Sequence, residues 1–243
     1  LTMPKVKNID SMYDSCGLKE VKGNLIPNTV TYAKDLFAYN EHLTKLPDDL
    51  TTIFGSNSNL LNVSGLFQHC SNLTNVDNTP LTVNENAQII VDETKLNNQI
   101  LRYCPNVLTV DEMFQSCTGL KKVPIGLLHW NPNVVMANYI FNNCSNMQDA
   151  GDYGYSLNEY LFRNTPDLTS IKYAFSNTKI NNFSIVIMEN YNKDSSLISP
   201  ISNKNLLNDK NADNNNNQYK KEAFIINQFF RTKNQKIIFI EKV

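Results

Sequence analysis

The sequence predicts an α/β repeat solenoid, made of coils of short strands and short helices or turns, with a small β-rich segment at its C-terminal end. Three observations carry that expectation. A five-residue string recurs ten times, in two interleaved sets. The step from the second set to the first is a constant 13 residues. All five cysteines occupy one position of the string. Self-similarity at a fixed period is the mark of a stacked repeat architecture, in which each unit buries its apolar face against its neighbours.

The first set comprises MYDSC (12–16), LFAYN (36–40), LFQHC (66–70), MFQSC (113–117), IFNNC (140–144) and AFSNT (174–178). Each string places an apolar residue, an aromatic, two polar residues and a small polar or thiol side chain in order. Apolar pairs follow at Leu18 and Val21, Leu43 and Leu46, Leu73 and Val76, Leu120 and Val123, Met147 and Ala150, and Ile180 and Phe183. The second set is IFGSN (53–57), ILRYC (100–104), LLHWN (127–131) and LFRNT (161–165), with proline next at Pro105, Pro132 and Pro166. The 13-residue step is a geometric constraint, whereas the return steps of 17, 34, 14 and 21 residues are free to vary. The tightest coil, from 100 to 127, spans 27 residues, and six coils fit before residue 190. A solenoid body over 1–189 follows, then a polar Asn-rich linker over 190–217, then an apolar segment over 218–243.

Within the string, Tyr13, Phe37, Phe54, Phe67, Phe114, Phe141, Phe162 and Phe175 are expected to stack at one level as an internal spine. The fifth position holds Cys16, Asn40, Asn57, Cys70, Cys104, Cys117, Asn131, Cys144, Thr165 and Thr178. A position that accepts Cys, Asn or Thr asks for a compact side chain that can hydrogen-bond a turning backbone. These residues are expected to form structural ladders. A disulfide framework fits poorly, since five cysteines cannot all pair and equivalent positions on stacked coils meet bridging geometry only by accident.

The stretch LRYCPNVLTVDEMFQSCTGLKKVPIGLLHWNPNVVMANYIFNNCSNM resembles the BspA-like leucine-rich repeats, including the divergent kind found in surface proteins of gut bacteria, mycoplasmas and some bacteriophages. The resemblance covers residues 1–187, with Asn40, Asn57, Thr165 and Thr178 standing where that pattern usually has Cys. It implies a non-enzymatic extracellular module that binds a protein or a glycan. The same resemblance admits an alternative, a structural or host-recognition component of a virion, decorating a tail or capsid and anchored by its C-terminal segment.

Composition narrows the classes further. The chain has 243 residues, of which 22 are basic and 23 acidic, so no bulk field draws nucleic acid or an anionic membrane. It contains 38 Asn but only 8 Gly, and its 41% hydrophobic content excludes disorder over the full length. No apolar run approaches the ~18 residues needed to cross a bilayer. The first residue is Leu1, which points to a processed chain or an excerpt. His42, His69 and His129 lie far apart without HExxH or CxxC spacing, and there is no GxGxxG, P-loop or GxSxG, so no cofactor, metal or catalytic residue is expected.

Binding residues are expected where the coil length varies. One insertion, 78–97, suggests a strand pair or a helix held to the body by Ile89, Ile90 and Val91. The other, 149–160, places Tyr153, Tyr155 and Tyr160 on a glycine-hinged loop, where large amphipathic rings suit recognition. Trp130 stands where most strings are polar, and it is expected to be exposed to a ligand or partner. Asp149 and Asp152 lack an EF-hand-like loop around them. The runs KKEAFIINQFF and KIIFIEKV read as a hairpin, or as a short helix and a strand, that caps the solenoid or mediates assembly.

Overall fold

Five residues before the aromatic of each first-set string, the chain makes one parallel bridge to the next coil. The bridges run Asn8 to Tyr32, Tyr32 to Asn62, Asn62 to Thr109, Thr109 to Met136 and Met136 to Ser170. Six coils therefore stack through a ladder one bridge wide. This is a computed structural model, and it describes residues 5–76, 81–83, 89–91, 96–124, 126–148, 161–162, 164–180, 182–183 and 236–237. The residue after each bridge, Ile9, Ala33, Val63, Val110, Ala137 and Ile171, faces inward and is buried. A second line of bridges joins Glu20 to Lys45 and Gln148 to Lys179.

The first-set strings form neither helix nor strand. In each, the residues two before and two after the aromatic have positive φ: Asp35 and Tyr39 (53° and 54°), Gly65 and His69 (63° and 59°), Glu112 and Ser116 (58° and 60°). Their N–H groups, with that of the aromatic between them, turn away from their own coil and donate to the next one. Glu112, Phe114 and Ser116 donate to the carbonyls of Asn138, Ile140 and Asn142 at 2.8, 2.9 and 2.8 Å. The intervening N–H groups close short turns, as in Gln115 to the carbonyl of Glu112 at 2.9 Å. Backbone donors are thus shared between local turns and neighbouring coils, and an i to i−4 ladder never starts. The expected short helices are accordingly replaced by turns. Among the described residues the helical element is a 3-10 turn at Leu50–Thr52, capped by the Asp49 carboxylate, which accepts the Thr51 N–H.

The aromatics stack as expected. Tyr13, Phe37, Phe67, Phe114, Phe141 and Phe175 form one continuous column, with neighbouring centroids 5.4 to 5.7 Å apart and planes within 26°. Phe54 and Phe162 are equally buried. They belong to the second-set turns, where Leu101 and Leu128 take the equivalent place, and so they lie outside this column. The expected single spine is in fact one aromatic column beside a mixed aliphatic and aromatic one. Leu43, Leu73, Leu120 and Met147 fill the space behind the first-set turns.

Coil length varies as the return steps require: the equivalent residues Asp111 and Asn138 are 27 positions apart, but Gln68 and Gln115 are 47 apart. The longer coil carries strands β1 (Leu81–Val83) and β2 (Ile89–Val91), paired antiparallel with Thr82 opposite Ile90. After the sixth coil, β3 (Asn182–Phe183) pairs in parallel with β4 (Lys236–Ile237). The 149–160 insertion with Asp149, Asp152, Tyr153, Tyr155 and Tyr160, the linker 190–217 and the rest of 218–243 lie outside the described residues. No helix among the described residues is long and apolar enough to cross a membrane.

Candidate functional site

In the first-set turns, the side chain at the fifth position, the shared slot of the repeat, reaches back one coil to the carbonyl of the preceding aromatic. Asn40 Nδ2 donates to Tyr13 O at 2.8 Å, Cys70 Sγ to Phe37 O at 3.2 Å, Cys117 Sγ to Phe67 O at 2.9 Å and Cys144 Sγ to Phe114 O at 3.0 Å. Thr178 instead bonds the Phe175 carbonyl of its own turn at 2.9 Å. Cys16, in the first coil, is exposed and bonds Asp14 O at 3.4 Å.

The second-set slots behave similarly. Asn57 Nδ2 donates to Val30 O at 3.0 Å, and Asn131 Nδ2 to Cys104 O at 2.8 Å. Cys104 makes a longer contact to Gly55 O at 3.9 Å, and Thr165 bonds Phe162 O at 2.8 Å. All five cysteines are free. Loss of hydration pushes the buried thiols up, to about 12 for Cys70, Cys104 and Cys144, so these are neutral donors rather than nucleophiles.

A second use of asparagine went unread in the sequence. Two positions after the slot, Asn59, Asn106, Asn133 and Asn146 donate to the carbonyls of Asn28, Ser58, Pro105 and Thr118 in the preceding coil, at 2.8 to 3.1 Å. The signal was present as NSN, CPN, NPN and CSN. Left-handed backbone is a minor role by comparison: of the described non-glycine residues with positive φ, Asn24, Asn143 and Asn177 are asparagines.

The surface with the chemistry of recognition lies on the second-set turns. There Gly55, Arg102 and His129 occupy one column on successive coils, and Ser56, Tyr103, Trp130 and Asn164 the next. The stacking draws Arg102 against the ring of the following coil, with its Cζ 3.5 Å from the Trp130 centroid and 5.0 Å from that of Tyr103. Trp130 is therefore half-buried, contrary to the expectation of an exposed ring. One face carries the guanidinium, and its Nε1 donates to Leu96 O at 2.7 Å. Its neighbour His129 meets it edge-on at 4.5 Å and is buried, with Asn164 Nδ2 2.9 Å from His129 Nδ1. Tyr103 remains 48% exposed.

Electrostatically this cluster is a fixed cation between rings. The ion pairs among the described residues are Lys22 with Glu20 and Lys34 with Asp35, and neither involves Arg102. Arg102 Nε is buried without a partner among the described residues. One coil earlier, Gly55 leaves the side-chain position empty, with no atom within 4 Å of where a Cβ would stand. The Asp49 carboxylate, which caps the 3-10 turn, is engaged by Thr51 through its N–H at 3.1 Å and its hydroxyl at 2.7 Å. Arg102 was not singled out in the sequence. Its signal was positional, an arginine one coil before and one residue across from the only tryptophan.

Among the described residues, no group of three or more His, Cys, Asp or Glu side chains is placed to hold a metal ion. No family model matches the chain, and no curated protein matches it. A solved structure of a leucine-rich repeat protein from Bacteroides ovatus is similar at 17% identity and a TM-score of 0.31, over 74% of this chain and 47% of that one. The chain thus spans about half the length of that protein. The repeat solenoid itself stands on the inter-coil hydrogen bonds of the chain.

Proposed function

We propose that the chain is a non-enzymatic recognition module, working outside the cell or at its surface, that binds a protein partner through the second-set turns around Arg102, Tyr103 and Trp130. The observation that supports this most is the cluster itself, because Trp, Tyr and Arg are the residues on which protein interfaces concentrate their binding energy. Rings and guanidinium are held by repeat geometry before any partner arrives, so little side-chain entropy is lost on contact. A glycan reading is weaker at this surface. Sugars stack on an open aromatic face, and one face of Trp130 is taken by Arg102. The extracellular location follows the family resemblance of the repeat, and the neutral buried thiols suit a structural rather than a catalytic use of cysteine.

Panning a displayed random-peptide library on the full chain tests this reading. Selected peptides are expected to lose about tenfold or more in affinity against Tyr103→Ala, as truncation of an anchor residue does. Circular dichroism checks that the variant keeps its fold. Peptides that bind Tyr103→Ala as well as the unaltered chain would place recognition elsewhere.

A further inference from the structure

We propose that Arg102 is a carboxylate subsite and that the partner segment it receives is acidic, a run of Asp or Glu side chains. The inference rests on the second-set turns being the contact surface, and it goes further by naming what they contact. A guanidinium carries five donors in a flat fork. Here its flat face is spent on Trp130 at 3.5 Å, with the Tyr103 ring at 5.0 Å. Stacking leaves the edge of the fork as the direction for hydrogen bonds, and the edge is where a carboxylate docks with two parallel contacts.

No acidic side chain of this chain meets that need among the described residues: Arg102 forms no ion pair, and its Nε is buried without a partner. Asp49 is committed to capping. Gly55, at the equivalent position one coil earlier, presents no side chain that could pair with the cation. Apolar rings around a charge also thin the water that competes for it, so a paired carboxylate gains more here than on an open lysine-bearing surface. With Nε buried, a carboxylate from outside would meet the Nη1–Nη2 edge of the fork.

Trp130 is the only tryptophan in the chain, so its emission reports on this site directly. The experiment titrates the full chain with poly-L-glutamate and, separately, with a neutral Gly-Ser peptide of equal length. The expected result is a saturable change in Trp130 emission with poly-L-glutamate alone, weakening as salt is raised. Arg102→Gln should abolish it, and Arg102→Lys, which keeps the charge without the planar fork, should weaken it by about tenfold. If Arg102→Gln proves unfolded by circular dichroism, the lysine variant carries the test.

An absent response to poly-L-glutamate, an equal response to the neutral peptide, or titrations of Arg102→Lys that overlay those of the unaltered chain would overturn the proposal and leave Arg102 as an internal brace. The two readings fail separately. Library peptides that depend on Tyr103 but carry no acidic residues sink the carboxylate subsite alone. Peptides indifferent to Tyr103 sink the surface, whatever poly-L-glutamate does.

Discussion

Cys117 holds its sulfur 2.9 Å from the Phe67 carbonyl, fully enclosed between coils, so a thiol here works as a small hydrogen-bonding wedge. Cys117→Ala should cost about 1–2 kcal/mol in chemical denaturation, the sum of a lost buried hydrogen bond and a small void. A thiol-specific reagent added to the folded chain should titrate exposed Cys16 at once and the four buried cysteines only as the chain unfolds. Fast release of more than one equivalent would contradict the ladder. Asp111 shows the opposite economy. Its carboxylate accepts the Asn138 N–H at 2.6 Å, yet burial outweighs that bond and raises its pKa above the ordinary 3.8. A carboxyl whose folded value is raised contributes most when protonated. Its contribution is full below 3.8 and disappears as pH climbs through the raised value, leaving a net cost at neutral pH. Asn138, in the same column, shows that an amide serves equally, since its Oδ1 accepts the Lys172 N–H at 2.8 Å. Asp111→Asn should therefore melt at or above the unaltered chain at pH 7, by less than about 1 kcal/mol because solvent screens the site. The gap should close in acid. A variant that melts lower at pH 7 would refute the assignment.

The turn strings show what periodicity conveys and what it hides. Their positions, the identity of the inward aromatic and the recurrence of the slot were all legible, because a side chain that must stack on its own equivalent leaves a repeating letter. Their conformation was not. Short helices are the usual filling between solenoid strands, and of the left-handed positions in the first-set turns only Gly65 advertises positive φ, whereas Asp35, His69, Glu112 and Tyr139 do not. The inter-coil hydrogen bonds at these residues, at 2.7 to 2.8 Å, offset the steric cost. Close coil-to-coil approach does leave one glycine signature. A Cβ on Gly119 would stand 2.6 Å from Leu73 O and 2.8 Å from Ser71 O, both backbone atoms of the preceding coil. Gly119→Ala should destabilise by about 1–3 kcal/mol through overpacking, as read from the denaturation midpoint. An unchanged midpoint would mean that the coils separate more easily than their hydrogen bonds suggest. The candidate site was half legible for a related reason: Trp130 stood out by composition, but the guanidinium that covers it came from another coil.

Across the whole molecule, the aromatic column makes each coil depend on its neighbours. Phe114 lies in the middle of that column, 5.7 Å from both Phe67 and Phe141. Phe114→Ala should cost about 3–5 kcal/mol and, because stability in a solenoid is a sum of nearest-neighbour terms, should split one unfolding transition into two. Urea denaturation followed by hydrogen exchange on either side of the fourth coil measures this, and a single sharp transition would count against it. The first-set turns impose a further property on the stack. At every junction three N–H groups of one coil point to three carbonyls of the next, from Ser11, Tyr13 and Ser15 onto Lys34, Leu36 and Ala38, through to Tyr139, Phe141 and Asn143 onto Lys172, Ala174 and Ser176. Peptide dipoles so aligned add along the axis as they do in an α-helix, whereas the bridges, which donate in both directions, cancel. The backbone of the described coils therefore carries a dipole along the stack, with its carbonyl pole at the coil that begins with Asn8.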